Sequence, residues 1–449
     1  MTVLLDLLLD VVRTDPQRPF LITPDRTRAY AEVAEEAQDL ARGLRAAGHV
    51  RVGIAVGDPA TAIVLLIAAS AAGVEPCVYP QGDATARGEL AAQLGHEVVV
   101  VDDAPLSDIG ALPVGALRGG AADLPDAPDD AVMILTSGTT GRPKGTRHRW
   151  SRLLTVVQAG EGAQQRWLLA YNMNQFAGLQ VVLQALASGA AIVVPASVQP
   201  RHAVEAMRVH GVTHASATPT FWRFAAHLLQ EPGAVRPALQ QVTLGGEAIP
   251  EPVLAAIVAL FPDARISQIY ASSEFGSSVS VRDGRPGLPL SVLDRSDDAP
   301  VQLRIVDGEL QARSSVGMVG YHGDADRDAG WHPTGDLVEI VDDRIRFVGR
   351  TSDVINVGGV KVAPLPIEEV VSAVPGVVAA VVYGRPNAVT GNVVATEVVA
   401  AEGVDADDLK ARIRAAVTAL PDAHRPRSIR IVDALDVRNQ KLRRPTEPS

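Results

Sequence analysis

Apolar segments rich in β-branched residues alternate with helical segments along the first half of the chain. A short apolar run is typical of a strand buried on both faces of a sheet. The alternation therefore predicts two layered α/β halves built on parallel strands. The segments of the first half are RVGIAVG, ATAIVLLIAASAAG, EPCVYP, GELAAQLG and EVVVVDD, and those of the second are AAIVVPA, AVEAMRVHG, VTHASATP, TFWRFAAHLLQ and QQVTLGG.

The pattern changes from about Ala299, where short alternating strands follow one another closely. The segments VQLRIVDGELQARS and DLVEIVDDRIRFVG each contain a turn dipeptide between two alternating runs, Asp307-Gly308 and Asp342-Asp343. Dipeptides of this kind favour the tight turns of β-hairpins. We therefore predict a small β-rich subdomain in this part of the chain.

A third pattern begins after Arg350, where strand-like and helical segments are mixed. A helix is predicted to start near Pro366, followed by the strands VVAAVVYG and VVATEVVAA and the helix ADDLKARIRAAVTAL. These segments predict a small α+β domain joined to the rest by a short hinge. The chain is thus divided into a large α/β domain over residues 1–350 and a small mobile domain over residues 351–449.

Charge and cysteine content argue against several classes of function. The formal net charge is −11 and the basic residues are scattered, which disfavours binding to nucleic acid or to an anionic membrane surface. The single cysteine, Cys77, excludes an internal disulfide and a cysteine-based metal cluster. We expect this cysteine to be a small buried apolar residue.

The apolar segments are too short or too charged for membrane insertion. The run TAIVLLIAASAAGV is shorter than the roughly 20 residues that a spanning helix needs, and it leads directly to Glu75. The N-terminal segment MTVLLDLLLDVV contains Asp6 and Asp10 and lacks a basic flank, which predicts an amphipathic helix and not a signal peptide. We expect a cytoplasmic protein without a membrane span.

A loop rich in glycine and hydroxyl residues follows the apolar strand AVMIL. Glycine lets the backbone turn its N–H groups toward an anion, hydroxyls add donors, and lysine supplies a compact positive charge. The loop differs from a Walker A sequence because Pro143 stands directly before Lys144. A flexible surface linker is the alternative, but linkers seldom follow a buried strand, so we interpret the loop as a polyphosphate site. Its residues are Thr136, Ser137, Gly138, Thr139, Thr140, Gly141, Arg142, Pro143, Lys144 and Gly145.

Four further segments follow in an order that suits a nucleotide site. In TLGGEAIP, two glycines would let the backbone pass close to a flat ligand. In QIYASSEFG, Tyr270 is suited to stacking on a base and Glu274 to binding Mg²⁺. In WHPTGDLV, Asp336 is suited to accepting ribose hydroxyl protons, and RFVGRTSDVINVGGVKVAP joins Arg350 to the hinge. A surface turn explains each segment alone equally well, but together they indicate one nucleotide site.

These motifs, in this order, resemble those of the adenylate-forming superfamily of acyl-CoA and aryl-CoA synthetases, non-ribosomal peptide adenylation domains and luciferases. The resemblance runs from about Leu5 to Arg444, which is nearly the whole chain. It implies that the loop from Thr136 to Lys144 binds the β- and γ-phosphates of ATP.

The resemblance also assigns roles to single residues. Tyr270 would stack on adenine, Ser273 would contact the α-phosphate, and Asp336 with Arg350 would hold the ribose. The segment RNQKLRR is similar to the family's Gly-Lys-x-x-Arg segment, which makes Lys441 the candidate catalytic lysine. The implied catalytic residues are thus Lys441, Glu274 and Ser273, the metal ligand is Glu274, and the cofactor-binding residues besides the loop are Gly246, Glu247, Tyr270, Ala271, Asp336 and Arg350.

The implied reaction is an ATP- and Mg²⁺-dependent adenylation of a carboxylic acid with release of pyrophosphate. The small domain would then rotate about the hinge, and a thiol would attack the acyl-adenylate. The thiol belongs to coenzyme A or to a phosphopantetheinyl carrier protein. Gly358 and Gly359 would line its path.

Three positions depart from the family pattern. Gln440 stands in place of the usual glycine before Lys441, and Ser352 in place of the usual Asp or Lys at the hinge. Gln175 stands where many relatives carry His beside the acyl group. We expect these departures to affect the lysine loop, the rotation of the small domain and the acid pocket.

The acid substrate is predicted from the segment YNMNQFAGLQ. Amino-acid-activating relatives carry an Asp there to pair with the α-ammonium group, whereas residues 167–180 contain no acidic residue. An acyl or aryl acid is therefore expected, and an α-amino acid is disfavoured. Core packing explains two of the predicted pocket residues equally well, Phe176 and Gly178. The predicted pocket consists of Gln175, Phe176, Gly178, Gly245, Gly246 and Ala271.

No carrier-protein segment follows Lys441, so we expect the acceptor to be coenzyme A or a free-standing carrier protein. A free-standing bacterial enzyme of secondary metabolism is the expected setting. Two alternatives stay open: adenylation of nitrite for ATP-dependent diazotisation of an aryl amine, and a non-catalytic nucleotide-binding regulator. The combination of Lys144, Glu274, Asp336 and Lys441 argues against the regulator.

Overall fold

The computed structural model describes residues 4–102, 110–126, 131–136, 143–160, 162–438 and 441–445. They form a large α/β domain followed by a smaller α+β domain, which confirms the predicted fold class. The α-helices are Leu4–Thr14, Tyr30–Ala47, Pro59–Ala72, Ala84–Leu94, Trp150–Leu154, Phe176–Ser188, Pro200–Val209, Pro219–Gln230, Glu251–Leu260, Pro364–Ser372 and Ala406–Ala416.

Two mainly parallel sheets form the centre of the large domain, as the alternating segments predict. In the eight-stranded sheet the inner strands are parallel and the two edge strands pair in the antiparallel sense. In spatial order its strands are Gly276–Val281, Arg265–Ser272, Gln241–Gly245, His214–Ala217, Arg166–Leu169, Ala191–Val193, Pro19–Ile22 and Thr27–Ala29. The seven-stranded sheet contains Gly320–Tyr321, Lys144–Arg149, Ala131–Thr136, Glu75–Val78, Arg51–Ala55, Val98–Val101 and Gly110–Pro113.

A five-stranded antiparallel sheet follows, where the sequence predicts a β-rich subdomain. Asp307 and Gly308 have φ values of 50° and 79°, and Asp342 has a φ of 53°. These left-handed conformations allow the tight turns of two hairpins, and Asp and Gly tolerate them better than most residues do. The strands in spatial order are Leu288–Pro289, Arg344–Arg350, His332–Val341, Glu309–Ser314 and Val301–Val306.

The small domain is a five-stranded sheet covered by two helices. The first helix begins at Pro364, two residues before the predicted start, because the fixed φ of proline suits the first helical turn. The strands are Val360–Val362, Ile355–Val357, Gly391–Ala400, Val377–Asn387 and Ser428–Ile431. A separate antiparallel pair of strands, Val437–Arg438 and Lys441–Leu442, lies near the end of the described residues and contains the candidate catalytic lysine.

The largest hydrophobic core lies between the two parallel sheets. Helix Pro59–Ala72 is apolar on all sides and buried along nearly its whole length there. Asp58 caps its start by accepting hydrogen bonds from the N–H groups of Ala60 and Thr61, and Gly73 ends it with a φ of 68°. The apolar run is thus a core helix, and in the described part of the chain no helix is long and apolar enough to cross a membrane.

The outer faces of both sheets carry their own helices. On the eight-stranded sheet, the fully buried indole of Trp222 donates a hydrogen bond to the carbonyl of Thr243, 3.0 Å away. On the seven-stranded sheet, Cys77 is fully buried in an apolar cluster, which confirms its expected structural role. Burial raises the pKa of its thiol, so the thiolate is disfavoured.

Gly43 permits a close contact between helix Tyr30–Ala47 and the backbone of Leu117. A Cβ at this position would lie 1.8 Å from the backbone oxygen of Leu117. Gly43→Ala should therefore cost about 3 kcal/mol in overpacking, against about 1 kcal/mol regained in helix propensity. We expect a net loss of stability in a denaturant titration. The exposed control Ala46→Gly should lose only about 1 kcal/mol; a stabilised Gly43→Ala protein would contradict the packing argument.

Candidate active site

Asp336 is the fixed point of the predicted ribose site. The antiparallel register places Arg350 directly opposite Asp336 on the neighbouring strand. The carboxylate accepts hydrogen bonds from the Tyr270 hydroxyl at 2.7 Å and from Arg350 Nε at 3.0 Å. Asp336 is only 8% exposed, so these contacts hold a negative charge in a defined orientation. The charge of Asp336 in turn raises the pKa of Arg350.

Tyr270 lies at the end of strand Arg265–Ser272, where the sequence predicts it. Its ring centroid is 5.1 Å from that of Phe347 with a tilt of 33°, which fixes the plane of the tyrosine ring. Burial raises the pKa of its hydroxyl, and the Asp336 carboxylate raises it further, so the hydroxyl stays a donor. A rigid aromatic ring beside a fixed carboxylate is the arrangement that a nucleoside needs.

Glu274 and Lys144 meet at Tyr321, a residue that the sequence analysis did not single out. The Tyr321 hydroxyl donates to Glu274 Oε1 at 3.2 Å, and Lys144 Nζ lies 5.2 Å from the centroid of the tyrosine ring. Burial and the Glu274 charge raise the pKa of Tyr321 to about 12. Tyr321 therefore interacts with both the predicted metal ligand, Glu274, and the lysine of the predicted phosphate loop, Lys144.

The predicted phosphate loop is described only at its two ends. Thr136 ends one strand and faces Lys144, which begins the next strand of the antiparallel pair. The neighbouring carbonyl of Pro143 accepts a hydrogen bond from Gln93 at 2.7 Å. The remaining loop residues of the prediction, Ser137, Gly138, Thr139, Thr140, Gly141 and Arg142, lie outside the described residues, as does Gln440.

Glu274 fits an Mg²⁺ ion that arrives with a nucleotide. The described residues hold no group of three or more His, Cys, Asp or Glu side chains that would bind a metal ion by themselves. Mg²⁺ in nucleotide sites usually takes one or two carboxylates and completes its coordination with phosphate oxygens and water. A single carboxylate beside a phosphate-loop lysine is consistent with that donor set.

Lys441 reaches this region from the small domain. A Cβ built on Gly246 would lie 3.5 Å from Lys441 Nζ and 3.4 Å from Cε, so the side chain passes close to the glycine backbone. Gly246 has a φ of +86°, which any other residue adopts only with strain. The backbone conformation of Gly246 therefore favours glycine, and the lysine side chain lies in ordinary contact distance of this position.

The charge of Lys441 is set by four neighbours. The lysine has accessible surface, yet protein atoms crowd around it, and this crowding with the positive charge of Arg350 lowers its pKa. The carboxylates of Glu247, Asp336 and Glu274 act in the opposite direction. The predicted catalytic lysine and the predicted nucleotide residues are thus neighbours. Lys144 and Lys441 are two of only four lysines in the chain.

Glu247 contacts both domains. Its Oε2 accepts the N–H of Thr220 at 3.1 Å, at the start of helix Pro219–Gln230. Its Oε1 accepts the N–H of Leu442 at 3.2 Å, in the strand that carries Lys441. The sequence predicts a cofactor-binding residue here; in the described residues both of its oxygens bind protein N–H groups.

Gln175 and Phe176, which the sequence predicts beside the acid, lie at the start of helix Phe176–Ser188. Gln175 is the N-cap, and its Oε1 accepts the N–H of Asn172 at 3.2 Å. The Phe176 ring packs on His148 with a centroid distance of 5.9 Å. His148 is only 1% exposed; burial first, and then the Arg152 charge, lower its pKa to about 3, so the imidazole is neutral. Sequence reasoning missed His148 because a single histidine in a strand gives no spacing signal.

The glycines of the predicted pocket pack closely against backbone. A Cβ on Gly178 would lie 2.4 Å from the Asn172 oxygen, and one on Gly245 would lie 3.0 Å from the Ile269 oxygen. Ala271 follows Tyr270 in strand Arg265–Ser272, and Ser273 comes directly after that strand. Gly178 and Gly245 therefore have a packing role whether or not a substrate lies beside them.

The predicted hinge and thiol-path residues lie in the small domain. The Ser352 hydroxyl donates to Asp353 Oδ1 at 3.0 Å within the turn Thr351–Asp353. Gly358 and Gly359 have φ values of +58° and +90° and connect strands Ile355–Val357 and Val360–Val362. Two successive left-handed residues make this a tight hairpin turn that favours glycine.

Comparisons with known proteins cover nearly the same part of the chain as these motifs. Residues 8–322 match the family model described as AMP-binding enzyme, and residues 366–440 match that of the AMP-binding enzyme C-terminal domain. The chain is 28% identical to feruloyl-CoA synthase of an Amycolatopsis species, with 90% of each protein covered. It is 28% identical to fatty acid–acyl-carrier-protein ligase ScoC of Streptomyces coeruleorubidus, with 87% of this chain and 85% of the relative covered.

Solved structures share the fold at low sequence identity. The anthranilate CoA ligase AuaEII in complex with anthranoyl-AMP superposes with a TM-score of 0.85 at 18% identity, covering 98% of this chain and 95% of that one. The o-succinylbenzoate CoA synthetase MenE of Bacillus subtilis, in complex with its acyl-adenylate intermediate, gives a TM-score of 0.77 at 22% identity, covering 97% and 96%. At these identities the similarity is one of fold.

The position of Tyr321 generates a test that separates its hydroxyl from its ring. Tyr321→Phe removes the donor to Glu274 and keeps the ring beside Lys144, whereas Tyr321→Leu removes both. We expect Tyr321→Phe to raise the Mg²⁺ concentration needed for ATP binding about 3- to 10-fold, the effect of one lost hydrogen bond, and Tyr321→Leu also to weaken metal-free ATP binding. Isothermal titration at several Mg²⁺ concentrations measures both quantities.

A matched control lies in the small domain. There the Tyr383 hydroxyl donates to Glu397 Oε1 at 3.3 Å, away from the candidate site. Tyr383→Phe should leave both binding constants unchanged. Equal losses in Tyr321→Phe and Tyr321→Leu would show that the hydroxyl has no separate part in metal binding.

Proposed function

The chain belongs to the AMP-binding enzyme family, and from that membership we propose that it is an AMP-forming acid–thiol ligase. It adenylates a carboxylic acid at the expense of ATP and transfers the acyl group to a thiol. The observation that carries the proposal is the position of Lys441. Its ammonium lies against Gly246, in the electrostatic reach of Glu274, Asp336 and Arg350.

In the first half-reaction a carboxylate oxygen of the acid attacks the α-phosphorus of ATP. The new O–P bond forms as the bond to the β-phosphate breaks, and pyrophosphate leaves with Mg²⁺. Negative charge increases on the transferring phosphoryl oxygens and is stabilised by fixed positive charge. Lys441 supplies that charge, while Asp336, Arg350 and Tyr270 hold the nucleoside in line for the attack.

In the second half-reaction the sulfur of a thiolate attacks the acyl carbonyl carbon, and the bond to AMP breaks. Relatives are named for both kinds of acceptor, a carrier protein and coenzyme A, which supports either as the thiol donor. We propose that Ser352 takes part in the hinge about which the small domain, residues 351–449, turns between the two reactions. Gly358 and Gly359 lie in a hairpin turn of that domain and would face the thiol.

The substrate is an acyl or aryl acid and not an α-amino acid. The helix start at Gln175 and Phe176 lies in a segment, residues 167–180, that offers no carboxylate to an ammonium group. Phe176 packs on the neutral imidazole of His148, so neither of these two buried side chains brings a charge to this side of the site. Relatives named for a fatty acid and for ferulate support this class of substrate. We place the enzyme in the bacterial cytoplasm, where ATP and coenzyme A are available.

Pyrophosphate release tests the proposal. The purified protein is assayed with ATP and Mg²⁺ over a panel of fatty, aryl and amino acids, with and without coenzyme A or a carrier protein. We expect release with an acyl or aryl acid and silence with α-amino acids. Release only with nitrite plus an aryl amine would replace the proposal with diazotisation, and ATP binding without any release would reduce the protein to a nucleotide-binding regulator.

Lys441→Ala tests the role of the lysine. We expect adenylation to fall roughly 10²- to 10³-fold, as for a lost oxyanion donor, while thioester formation from synthetic acyl-adenylate stays nearly intact. Lys410→Ala is the control, because Lys410 pairs with Asp407 on a surface helix of the same domain. Single-turnover rates of each half-reaction give the comparison; equal losses in both would contradict the assigned role.

A further inference from the structure

The strand that carries Lys441 is attached to the large domain through Glu247. One carboxylate oxygen binds the Leu442 N–H in this strand, and the other binds the Thr220 N–H in the large domain. The Thr220 N–H belongs to the first turn of helix Pro219–Gln230, where N–H groups lack partners within the helix and the helix dipole favours negative charge. The helix N-terminus therefore favours the contact between Glu247 and the large domain.

The Leu442 contact fixes the backbone immediately next to the lysine. Because Leu442 follows Lys441 directly, a hydrogen bond at its N–H limits how far the lysine Cα can shift. The Leu442 side chain packs against a small buried cluster that contains Leu435, and Phe224, from the same large-domain helix as Thr220, packs against that cluster too. A polar and an apolar contact thus hold this strand against one helix.

Charged residues extend the same junction toward the hinge. Arg223, on helix Pro219–Gln230, interacts electrostatically with Glu247 of the large domain and Glu368 of the small domain. The Glu368 carboxylate accepts both hydrogen bonds from Arg444, at 2.9 and 3.0 Å, and Arg444 also pairs with Asp353 at 2.6 Å. The chain directly after Lys441 is therefore bound by two different sets of groups, Glu247 at Leu442 and the carboxylates of Glu368 and Asp353 at Arg444.

We propose that Glu247 is a positioning residue that docks the Lys441 strand onto the large domain for adenylation and releases it for thiol transfer. The proposal rests on the proposed function, because only an enzyme with two half-reactions needs docking in one of them. Rotation of the small domain would break the Leu442 contact and leave the Thr220 contact in place. Glu247 then contacts the strand in the first reaction and no longer contacts it in the second.

The charge of Glu247 adds a second, measurable effect. Lys441 faces Glu247, Asp336, Glu274 and Arg350 in the described structure, and Glu247 is the largest of the influences that raise its pKa. Lys441 stabilises the transition state only while protonated, so adenylation falls as pH rises through its pKa. Removing Glu247 lowers that pKa, and the alkaline limb of the adenylation profile should move to lower pH.

Half-reaction kinetics of Glu247→Ala and Glu247→Gln test the docking role. We expect Glu247→Ala to slow adenylation about 10- to 100-fold, as for a misplaced catalytic group, with thioester formation from synthetic acyl-adenylate unchanged. Glu247→Gln, which keeps one acceptor oxygen, should be intermediate. The matched control is Glu251→Ala, an exposed acid at the start of the next helix. Loss of ATP affinity with an unchanged adenylation rate would instead make Glu247 a nucleotide ligand and overturn the proposal.

Hydrogen exchange tests the contact without any catalysis. In the full-length protein, the amide of Leu442 should exchange faster in Glu247→Ala than in the wild type or in Glu251→Ala. Unchanged exchange in this segment would overturn the docking contact, even if adenylation were slow. A wild-type protein that releases no pyrophosphate with any acid would overturn the proposed function, while the exchange result would still decide whether Glu247 holds the strand.

Discussion

The ammonium group of Lys441 is surrounded by carboxylates that are each fixed by other contacts, and the architecture serves to bring these charges together. Glu247 and Glu274 follow neighbouring strands of the eight-stranded sheet, while Asp336 belongs to the five-stranded sheet. Crowding by protein atoms lowers the pKa of this lysine, and the three carboxylates oppose that change by favouring the charged form. The positions of these acids therefore affect both the position of the lysine ammonium group and its pKa.

Parallel pairing explains how distant segments reach one place. Strands Gln241–Gly245 and Arg265–Ser272 are parallel and in register from Gln241–Arg265 to Gly245–Ile269, so their carboxyl ends meet at one edge. Loops at the carboxyl ends of such strands commonly form binding sites. Gly246 and Glu247 leave one strand at the same edge where Tyr270 and the residues after it complete the other. The antiparallel sheet then adds Asp336 and Arg350 from a single register pair.

The sequence was sufficient for the fold class, and it also predicted that several short motifs would lie close together. Asp336, Arg350, Tyr270 and Lys441 were predicted together and lie together, because each follows a recognisable strand or turn. Tyr321 was not predicted, since its two-residue strand is too short to give a pattern and its contacts join positions 47 and 177 residues away. The two-domain contact of Glu247 depends on a rotation angle between domains, which no local pattern encodes.

The scarcity of lysine has a consequence for the electrostatics of the whole surface. Arginine supplies nearly all of the basic charge of this chain, and a guanidinium keeps its proton at every pH that a cell reaches. An ammonium group in a crowded site is less constant, and the crowding around Lys441 in the candidate site lowers its pKa. Alkaline conditions would thus change the field inside the candidate site while the basic charge on the rest of the molecule stays almost constant.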